Sequence, residues 1–279
     1  ETLSILFSPK AGPRGLEIAM EELCQKASEA VEKGTTLVIL SDRGVNSDRA
    51  PIPALLAMAG VHHHLVREGT RTRCSLIVET GEARECHHMA LLVGYGAAAI
   101  NPYLAFETID ELIDEEEVQG IGRDIAINQY IKACTKGILK VMSKMGISTV
   151  QSYRGAQIFE AVGLNEDLVD RYFTGTVSRI SGAGLEQIAA EMLTHHARAY
   201  PEQEGGLYGV GWGGQYQWRH GGEFHLFNPD TIFKLQHATR TKRSEIFREY
   251  TTSVNDQAQQ MATLRGLMEF RSDREPVPI

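Results

Sequence analysis

Apolar runs that stop at polar, turn-prone residues recur along this chain and constrain its fold more than any other feature. Segments with helical spacing separate the runs. This alternation predicts parallel strands joined by crossover helices, because parallel neighbours need a long connection. Their carboxyl ends would meet at one edge of the sheet, where α/β proteins build their sites. The runs, each with its polar tip, are 37–40 before 41–44, 76–78 before 79–82, 97–100 before 101–103 and 147–150 before 151–155.

The remaining segments extend the alternation and suggest where it ends. The pattern of residues 2–7 predicts a further strand. A helix is expected to start after Asp48, which would be its N-cap, with Pro51 in the first turn. The glycine-rich 181–184 indicates only the start of a helix. Further helices are predicted over 15–33, 83–93, 105–118, 125–145, 156–162, 166–173, 185–200, 231–237 and 245–260.

These elements favour an α/β fold. We count five or six parallel βα repeats, fewer than the eight of a closed barrel, so we predict an incomplete TIM-barrel-like domain. Residues 205–222 hold glycines interspersed with aromatic residues and indicate an ordered loop before a helical segment that starts at Asn228 and Pro229. We place a domain boundary near residue 204, which gives domains 1–204 and 205–279.

Composition excludes several classes of protein. A net charge of −8 without a Lys/Arg block argues against nucleic-acid binding. No apolar stretch approaches the roughly 20 residues of a membrane span, and no signal-peptide pattern appears, so we expect a cytoplasmic protein. The cysteines are widely spaced without a CxxC motif, which disfavours a zinc knuckle or a disulfide scaffold. They are Cys24, Cys74, Cys86 and Cys134.

The histidines at 62–64 and 87–88 are a tempting metal signal. Adjacent helical residues point about 100° apart, so neither cluster converges on one ion, and chelating pairs are spaced i,i+4. We therefore expect no metal site. His62 shares a helix face with apolar neighbours, so we interpret it as a packed, hydrogen-bonded side chain.

Charged residues at the polar tips are the better candidates for chemistry. Paired carboxylates and arginines at one edge could bind an anionic substrate or transfer protons. Alternatively, they form salt bridges, cap the following helices or dock another domain. The candidates are Asp42, Arg43, Glu79, Glu82, Arg154 and Arg179.

Several segments resemble the central domain of glutamate synthase large chains, in the family's order and over nearly the whole chain. Residues 219–223 and 227–229 are similar to the entry of the family's FMN-binding domain. The matching segments are LSDRG at 40–44, APIPALL at 50–56, VHHHL at 61–65, ETGEARE at 79–85, GYG at 94–96, NPY at 101–103, KVMSKMGIS at 140–148 and QSYRGAQIFE at 151–160.

The resemblance implies a place in a multidomain flavoenzyme, an oxidoreductase acting on CH–NH2 donors. In this family an N-terminal amidotransferase domain with a catalytic cysteine hydrolyses glutamine. Ammonia passes through an internal tunnel to a barrel that holds FMN and a 3Fe-4S cluster. There it condenses with 2-oxoglutarate, and the imine is reduced to glutamate. The central domain links the two sites and resembles a rudimentary form of the barrel.

This chain departs from the full pattern of the family. It opens at Glu1 without the N-terminal cysteine and closes at Ile279 before the expected FMN strands, so we expect a segment of a longer polypeptide. No catalytic residue transfers to a position here. We expect the segment alone to be inactive and free of cofactor, and its partners to be the other domains, with a small electron-donating subunit or ferredoxin. The alternatives are a freestanding barrel-like lyase or oxidoreductase that uses the strand-edge residues, and a docking module.

Overall fold

The computed structural model describes residues 1–201 and 218–255. The chain divides into two compact units, Glu1–Gly206 and Leu207–Ile279. The strands are β1 Thr2–Ser4, β2 Leu6–Phe7, β3 Leu37–Ser41, β4 Ala50–Pro51, β5 Ser75–Glu79, β6 Ala97–Asn101, β7 Glu160–Leu164 and β8 Val177–Ala183. The helices are α1 Gly12–Glu32, α2 Ala54–Arg67, α3 Cys86–Gly94, α4 Tyr103–Asp114, α5 Arg123–Lys144, α6 Val150–Tyr153, α7 Glu166–Tyr172, α8 Leu185–Ala199, α9 Pro229–Thr241 and α10 Ser244–Asn255.

A parallel sheet in the order β1-β3-β5-β6 forms the centre of the first unit. Strands β7 and β8 pair in parallel in a second sheet, and the short β2 and β4 pair antiparallel. The main sheet therefore follows chain order and winds in one direction, as in a barrel, whereas a doubly wound sheet reverses its order. The predicted α/β class with parallel, incomplete barrel-like repeats is confirmed.

The core lies between this sheet and its crossover helices. Leu16, Met20 and Leu23 face it from α1 at the spacing of one helical stripe, while Val38 and Leu76 fill it from neighbouring strands. Each is at most 2% exposed, and burying a side chain of this size contributes about 1.5–3 kcal/mol. This packing holds the carboxyl ends of β3, β5 and β6 in fixed register.

The strand expected over 147–150 is wrong. Thr149 instead caps α6, and its side chain accepts a hydrogen bond from the Ser152 amide at 3.3 Å. Tyr153 is fully buried, and its hydroxyl donates to the Ala90 carbonyl at 2.9 Å. Local capping and one buried aromatic side chain thus outweigh the strand signal of a segment that holds only two apolar residues.

The helix expected over 156–162 is also wrong, because the chain forms β7 there, and β8 is a strand that the sequence pattern did not indicate. Gly182 explains the omission. A Cβ at this position would lie 2.4 Å from the Gly163 carbonyl oxygen. Gly182, which the sequence pattern places in the turn before a helix, in fact allows β7 and β8 to approach closely.

Two expected boundaries near the amino end also need correction. Residues 2–7 divide into β1 and β2 rather than forming one strand. Asp48 does not cap α2 but lies in an exposed ion pair with Lys10 at 2.9 Å. Helix α2 starts only at Ala54, because residues before Pro51 and Pro53 are disfavoured in helical geometry.

In the second unit, the predicted cap at Asn228 is confirmed. Its side-chain oxygen accepts hydrogen bonds from the amides of Asp230 and Thr231, each at 3.0 Å, with Pro229 in the first turn. The predicted loop over 205–222 lies mostly outside the described residues, as does the end of the helix predicted over 245–260. The domain boundary near 204 stays a prediction. No helix in 1–201 or 218–255 is long and apolar enough to cross a membrane.

Candidate functional site

Four of the six candidate residues come together at the carboxyl edge of the main sheet. Asp42 and Arg43 directly follow β3, while Glu79 ends β5 and Glu82 lies in the turn that follows it. The strand register explains the meeting, since Ser41 is the Cα partner of Glu79. The gathering of these side chains is therefore a consequence of parallel pairing.

Asp42 ties the β3 end to the turn after β5. Only 2% of the residue is exposed. Its Oδ2 accepts hydrogen bonds from the Thr80 hydroxyl at 2.6 Å and from the Gly81 amide at 2.9 Å. The Thr80 oxygen in turn accepts from the Glu82 amide at 3.0 Å. The carboxylate thus holds a tight turn in place, and its lone pairs face donors of the protein itself.

Glu79 lies at the centre of a row of side chains across three strands. Its Oε2 accepts from the Ser41 hydroxyl at 2.6 Å, and its Oε1 accepts from Asn101 Nδ2 at 3.1 Å. Arg43 Nε donates to the same Oε1 at 2.8 Å. The hydrogen bond from Ser41 and the Arg43 guanidinium lower the pKa of the Glu79 carboxyl. Glu79 is therefore held as a carboxylate, which accepts hydrogen bonds but gives up no proton.

Arg43 bridges this row to α4. Its guanidinium carbon lies 4.0 Å from the centre of the Tyr103 ring, and its Nη1 donates to Glu107 at 3.4 Å. Burial and a hydrogen bond to Asp42 raise the pKa of the Tyr103 hydroxyl. Tyr103 therefore stays protonated and completes the set of donors around Asp42.

Glu82 anchors the amino end of α2. Its Oε2 accepts a hydrogen bond from the Ala54 amide at 2.5 Å, where a helix leaves its first amides unpaired. Burial of the carboxyl group raises its pKa, although other atoms of Glu82 remain exposed. Glu82 has the position of a cap supplied from a distant loop.

The other two candidates do not join this edge, and the expectation that they would is wrong. Arg154 follows the short helix α6 rather than a strand, and its buried Nε has no hydrogen-bond partner in the described part of the chain. Arg179 lies within β8 with 72% of its side chain exposed, and it pairs with Glu160 at 2.8 Å. Neither residue lies at the carboxyl end of β3, β5 or β6.

The sequence reasoning missed several members of the edge. All of them lie within the polar tips, but only charged residues were predicted as candidates. The members missed are Ser41, Thr80, Asn101 and Tyr103. The available signal was the register itself, because Glu79 pairs with both Ser41 and Asn101 across the sheet. A polar residue at the last position of adjacent parallel strands is a candidate hydrogen-bond partner.

The histidines have structural roles. His62 Nδ1 accepts from Arg71 Nε at 3.0 Å, which confirms the interpretation of a packed, hydrogen-bonded side chain. His88 contributes to the cap of α3, where its Nδ1 accepts from the Glu85 amide at 3.4 Å. Across residues 1–201 and 218–255, no three His, Cys, Asp or Glu side chains are grouped as metal ligands.

Within residues 1–201, the carboxylates of the edge are thus held in a hydrogen-bonded network. Asp42 and Glu79 accept from protein donors, and Glu82 accepts from a helix amide. Networks of this kind, with their groups satisfied, make a region rigid. The geometry favours a role in holding three loops in fixed positions.

Comparison with known families matches residues 1–165 to the glutamate synthase central domain. The chain belongs to this family. The large chain of the NADPH glutamate synthase of Bacillus subtilis is 46% identical over all 279 residues. The NADH glutamate synthase of Schizosaccharomyces pombe is 41% identical over 281 aligned residues, and the ferredoxin-dependent glutamate synthase 1 of Arabidopsis thaliana is 38% identical over 292. The family that the sequence resembles is confirmed.

The chain spans only part of each of these relatives. It covers 18% of the Bacillus protein, 13% of the Schizosaccharomyces protein and 18% of the Arabidopsis protein, while each alignment includes 100% of this chain. Among solved structures, a mutant flavocytochrome b2 with benzoylformate aligns at a TM-score of 0.39 and 15% identity. That alignment covers 57% of this chain and 40% of the other, and so distant a likeness carries no argument about the site.

Proposed function

We propose that this chain is part of a glutamate synthase large chain, an oxidoreductase of glutamate biosynthesis and ammonia assimilation. The complete enzyme would convert L-glutamine, 2-oxoglutarate and two electrons into two molecules of L-glutamate. One observation carries the proposal: 46% identity to the NADPH glutamate synthase large chain of Bacillus subtilis extends over the whole chain.

Within that enzyme we assign the segment a connecting role. Residues 1–204 would be the later part of the central domain, and 205–279 would lead into the FMN-binding domain. The match of 1–165 to the central-domain family supports the first assignment. The network around Asp42 and Glu79 supports a structural role, because each carboxylate is already occupied by donors of the chain. These residues would form a rigid rim that faces neighbouring domains.

The cofactors FMN and 3Fe-4S would belong to other parts of the polypeptide. An iron–sulfur cluster needs several thiolates in one place, whereas Cys24 lies on α1 and Cys74 just before β5. Among the described residues, Cys86 on α3 and Cys134 on α5 are neighbours, but two thiols are too few for a cluster. Burial raises the pKa of the Cys24 thiol to about 11, so it is no ready thiolate ligand. The described residues do not fit such a cluster, and we derive no step through either cofactor.

The partners would be the other domains of the same polypeptide. The electron donor would be a small electron-donating subunit or ferredoxin, since the names of the relatives include NADPH, NADH and ferredoxin-dependent enzymes. We propose a cytoplasmic location. The net charge of −8 supports the absence of nucleic acid among the partners.

The experiment compares the full polypeptide with the 279-residue chain. The full polypeptide should form glutamate from glutamine and 2-oxoglutarate with one of the three electron donors, and its absorption spectrum should contain flavin bands. The 279-residue chain should be colourless and inactive in the same assay. A full polypeptide that fails with every donor, or a short chain with stoichiometric flavin, would refute the proposal.

The competing hypothesis is that the chain is a freestanding lyase or oxidoreductase that uses the carboxyl edge. It requires turnover by the short chain and loss of that turnover in Glu79→Gln. Asp48→Asn is the matched control, because Asp48 is an exposed carboxylate outside the network. Equal inactivity of all three proteins is the result we expect.

A further inference from the structure

Arg154 is a cation that lacks a counter-ion within the described residues. The residue is partly buried, and its Nε makes no hydrogen bond. Its backbone is fixed on both sides, because the Tyr153 hydroxyl donates to Ala90 at 2.9 Å and the Gly155 amide donates to Gly94 at 2.8 Å. A buried donor without an acceptor costs free energy. An acceptor placed next to Arg154 Nε would therefore be stabilising.

Arg71 brings a second cation to the same place. Its Nε donates to His62 Nδ1 at 3.0 Å, its Nη1 to the Cys74 carbonyl at 2.8 Å and its Nη2 to the Gly96 carbonyl at 2.9 Å. A guanidinium has five N–H donors, so two of them remain after these three bonds. Burial lowers the pKa of Arg71, and the charge of Arg154 lowers it further. Arg154 precedes Gly155, whose amide donates to the Gly94 carbonyl, so both arginines lie beside the turn at residues 94–96.

His62 adds a neutral donor. Since its Nδ1 accepts from Arg71, the proton of the neutral ring is on Nε2, for which the described residues supply no acceptor. Burial lowers the pKa of His62 to about 4, and the other groups that act on it are Arg71, His63 and Arg154. None of them is a carboxylate. In a chain with a net charge of −8, this cluster is locally positive and rich in unused donors.

His62 lines a cavity of about 90 Å³, and Arg154 directly precedes Gly155 in its wall, whereas neither arginine is itself a lining residue. His62 and Gly155 are part of its wall, together with Gln157 and Thr176. A cavity needs about 10–15 Å³ of such space to hold one water molecule, so this cavity exceeds that minimum several-fold. That is room for a small polar group.

We propose that Arg154, Arg71 and His62 form a binding site for an oxyanion, either a phosphate or a carboxylate group. Planar guanidinium forks match the paired oxygens of such groups, and a negative charge would relieve the repulsion between the two arginines. The site lies before β5 and β6, at the end of the sheet opposite the carboxyl edge. The oxyanion could be free in solution or a carboxylate from another part of the polypeptide.

The test titrates inorganic phosphate into the 279-residue chain at constant ionic strength. We expect a saturable change in the NMR signal of the His62 ring and a rise in the thermal midpoint, since a ligand stabilises the state that binds it. Arg154→Gln should weaken phosphate binding by about tenfold or more. Arg179→Gln is the matched control and should bind like the wild type, because Arg179 is exposed and already paired with Glu160.

Two results would overturn the proposal: no saturable change in the wild type, or equal affinity in Arg154→Gln. If that variant does not fold, Arg154→Lys tests the same point, because it keeps the charge but loses the fork and should bind several-fold more weakly. Unchanged affinity in Arg154→Lys would then count against the site.

The full polypeptide identifies the source of the oxyanion. Phosphate binding that persists there and depends on Arg154 indicates a free anion. If phosphate no longer binds but Arg154→Gln lowers the thermal midpoint, a carboxylate of the polypeptide occupies the site. A full polypeptide that neither binds phosphate nor responds to Arg154→Gln would overturn the proposal as well.

Discussion

Replacing Asp42 should destabilise the protein far more than replacing any exposed carboxylate nearby. The side chain is 2% exposed and accepts from the Thr80 hydroxyl at 2.6 Å and from the Gly81 amide at 2.9 Å. Each hydrogen bond to a charged group contributes about 1.5–3 kcal/mol, and each donor left unpaired in the interior costs a similar amount. Asp42→Ala should therefore lower the free energy of unfolding by about 3–6 kcal/mol.

Urea denaturation followed by circular dichroism measures this change, and the slope m shows whether unfolding stays cooperative. Asp48→Ala is the matched control, because Asp48 is a carboxylate of the same connection, 70% exposed and paired only with Lys10. It should remain close to the wild type, since exposed ion pairs add little stability. Hydrogen exchange gives a local readout: the Gly81 amide should lose protection in Asp42→Ala alone.

A double-mutant cycle isolates the bond between Asp42 and Thr80. Thr80 is fully buried, and Thr80→Val removes the hydroxyl while it keeps the shape. The two substitutions should be non-additive by about 1 kcal/mol or more. Additive effects, or an Asp42→Ala variant within about 1 kcal/mol of the wild type, would refute the view that this carboxylate holds the edge together.

Three further predictions concern acid, a histidine and a glycine. The hydrogen bonds from Ser41 and Arg43 lower the pKa of Glu79 from 4.5. The contribution of Glu79 to stability is therefore present above pH 4.5 and is lost as the pH falls through the lowered pKa. Glu79→Gln should flatten this acid dependence in thermal melts. The pKa of His62 in the folded protein is about 4, against an ordinary value of 6.5. An NMR titration should therefore show a neutral ring at pH 6, and the stability of the protein should fall as the pH is lowered from 6.5 to 4. A ring that titrates near 6.5 would contradict this prediction. Gly96→Ala should destabilise the fold by at least about 2 kcal/mol more than Gly146→Ala in urea denaturation. Both glycines have positive φ, but only at Gly96 would a Cβ lie 2.3 Å from His62. Equal losses of stability in the two variants would contradict this packing.

The sequence pattern was reliable for the central strands of the main sheet, β3 and β5. The runs predicted over 37–40 and 76–78 are apolar, as expected of central parallel strands, and each ends within one residue of the strand end. Their parallel pairing then brings Asp42 and Glu79 together. This part of the candidate site follows from the order of elements and needs no tertiary detail.

The pattern failed where tertiary contacts decide the local conformation. Residues 147–150 contain two apolar residues, Ile147 and Val150, and the Thr149 cap and the buried ring of Tyr153 make a helix of the segment that follows. In β8, Gly182 is required by the close Gly163 backbone, which a single sequence does not reveal. Arg154 was misplaced as a direct consequence of the first error.

The two ends of the sheet also show why charged strand tips are an incomplete guide to function. At the carboxyl edge the row Ser41, Glu79 and Asn101 satisfies its own hydrogen-bonding groups, so little capacity remains for a ligand. At the other end, Arg154 Nε has no acceptor among residues 1–201 and 218–255, and Arg71 keeps two N–H groups beyond its three hydrogen bonds, although neither residue follows a polar strand tip. A ligand is recognised by the hydrogen bonds and charge that the protein leaves unpaired. By that criterion, binding experiments on this domain should begin at the arginine pair, with the carboxyl edge treated as the scaffold that fixes its loops.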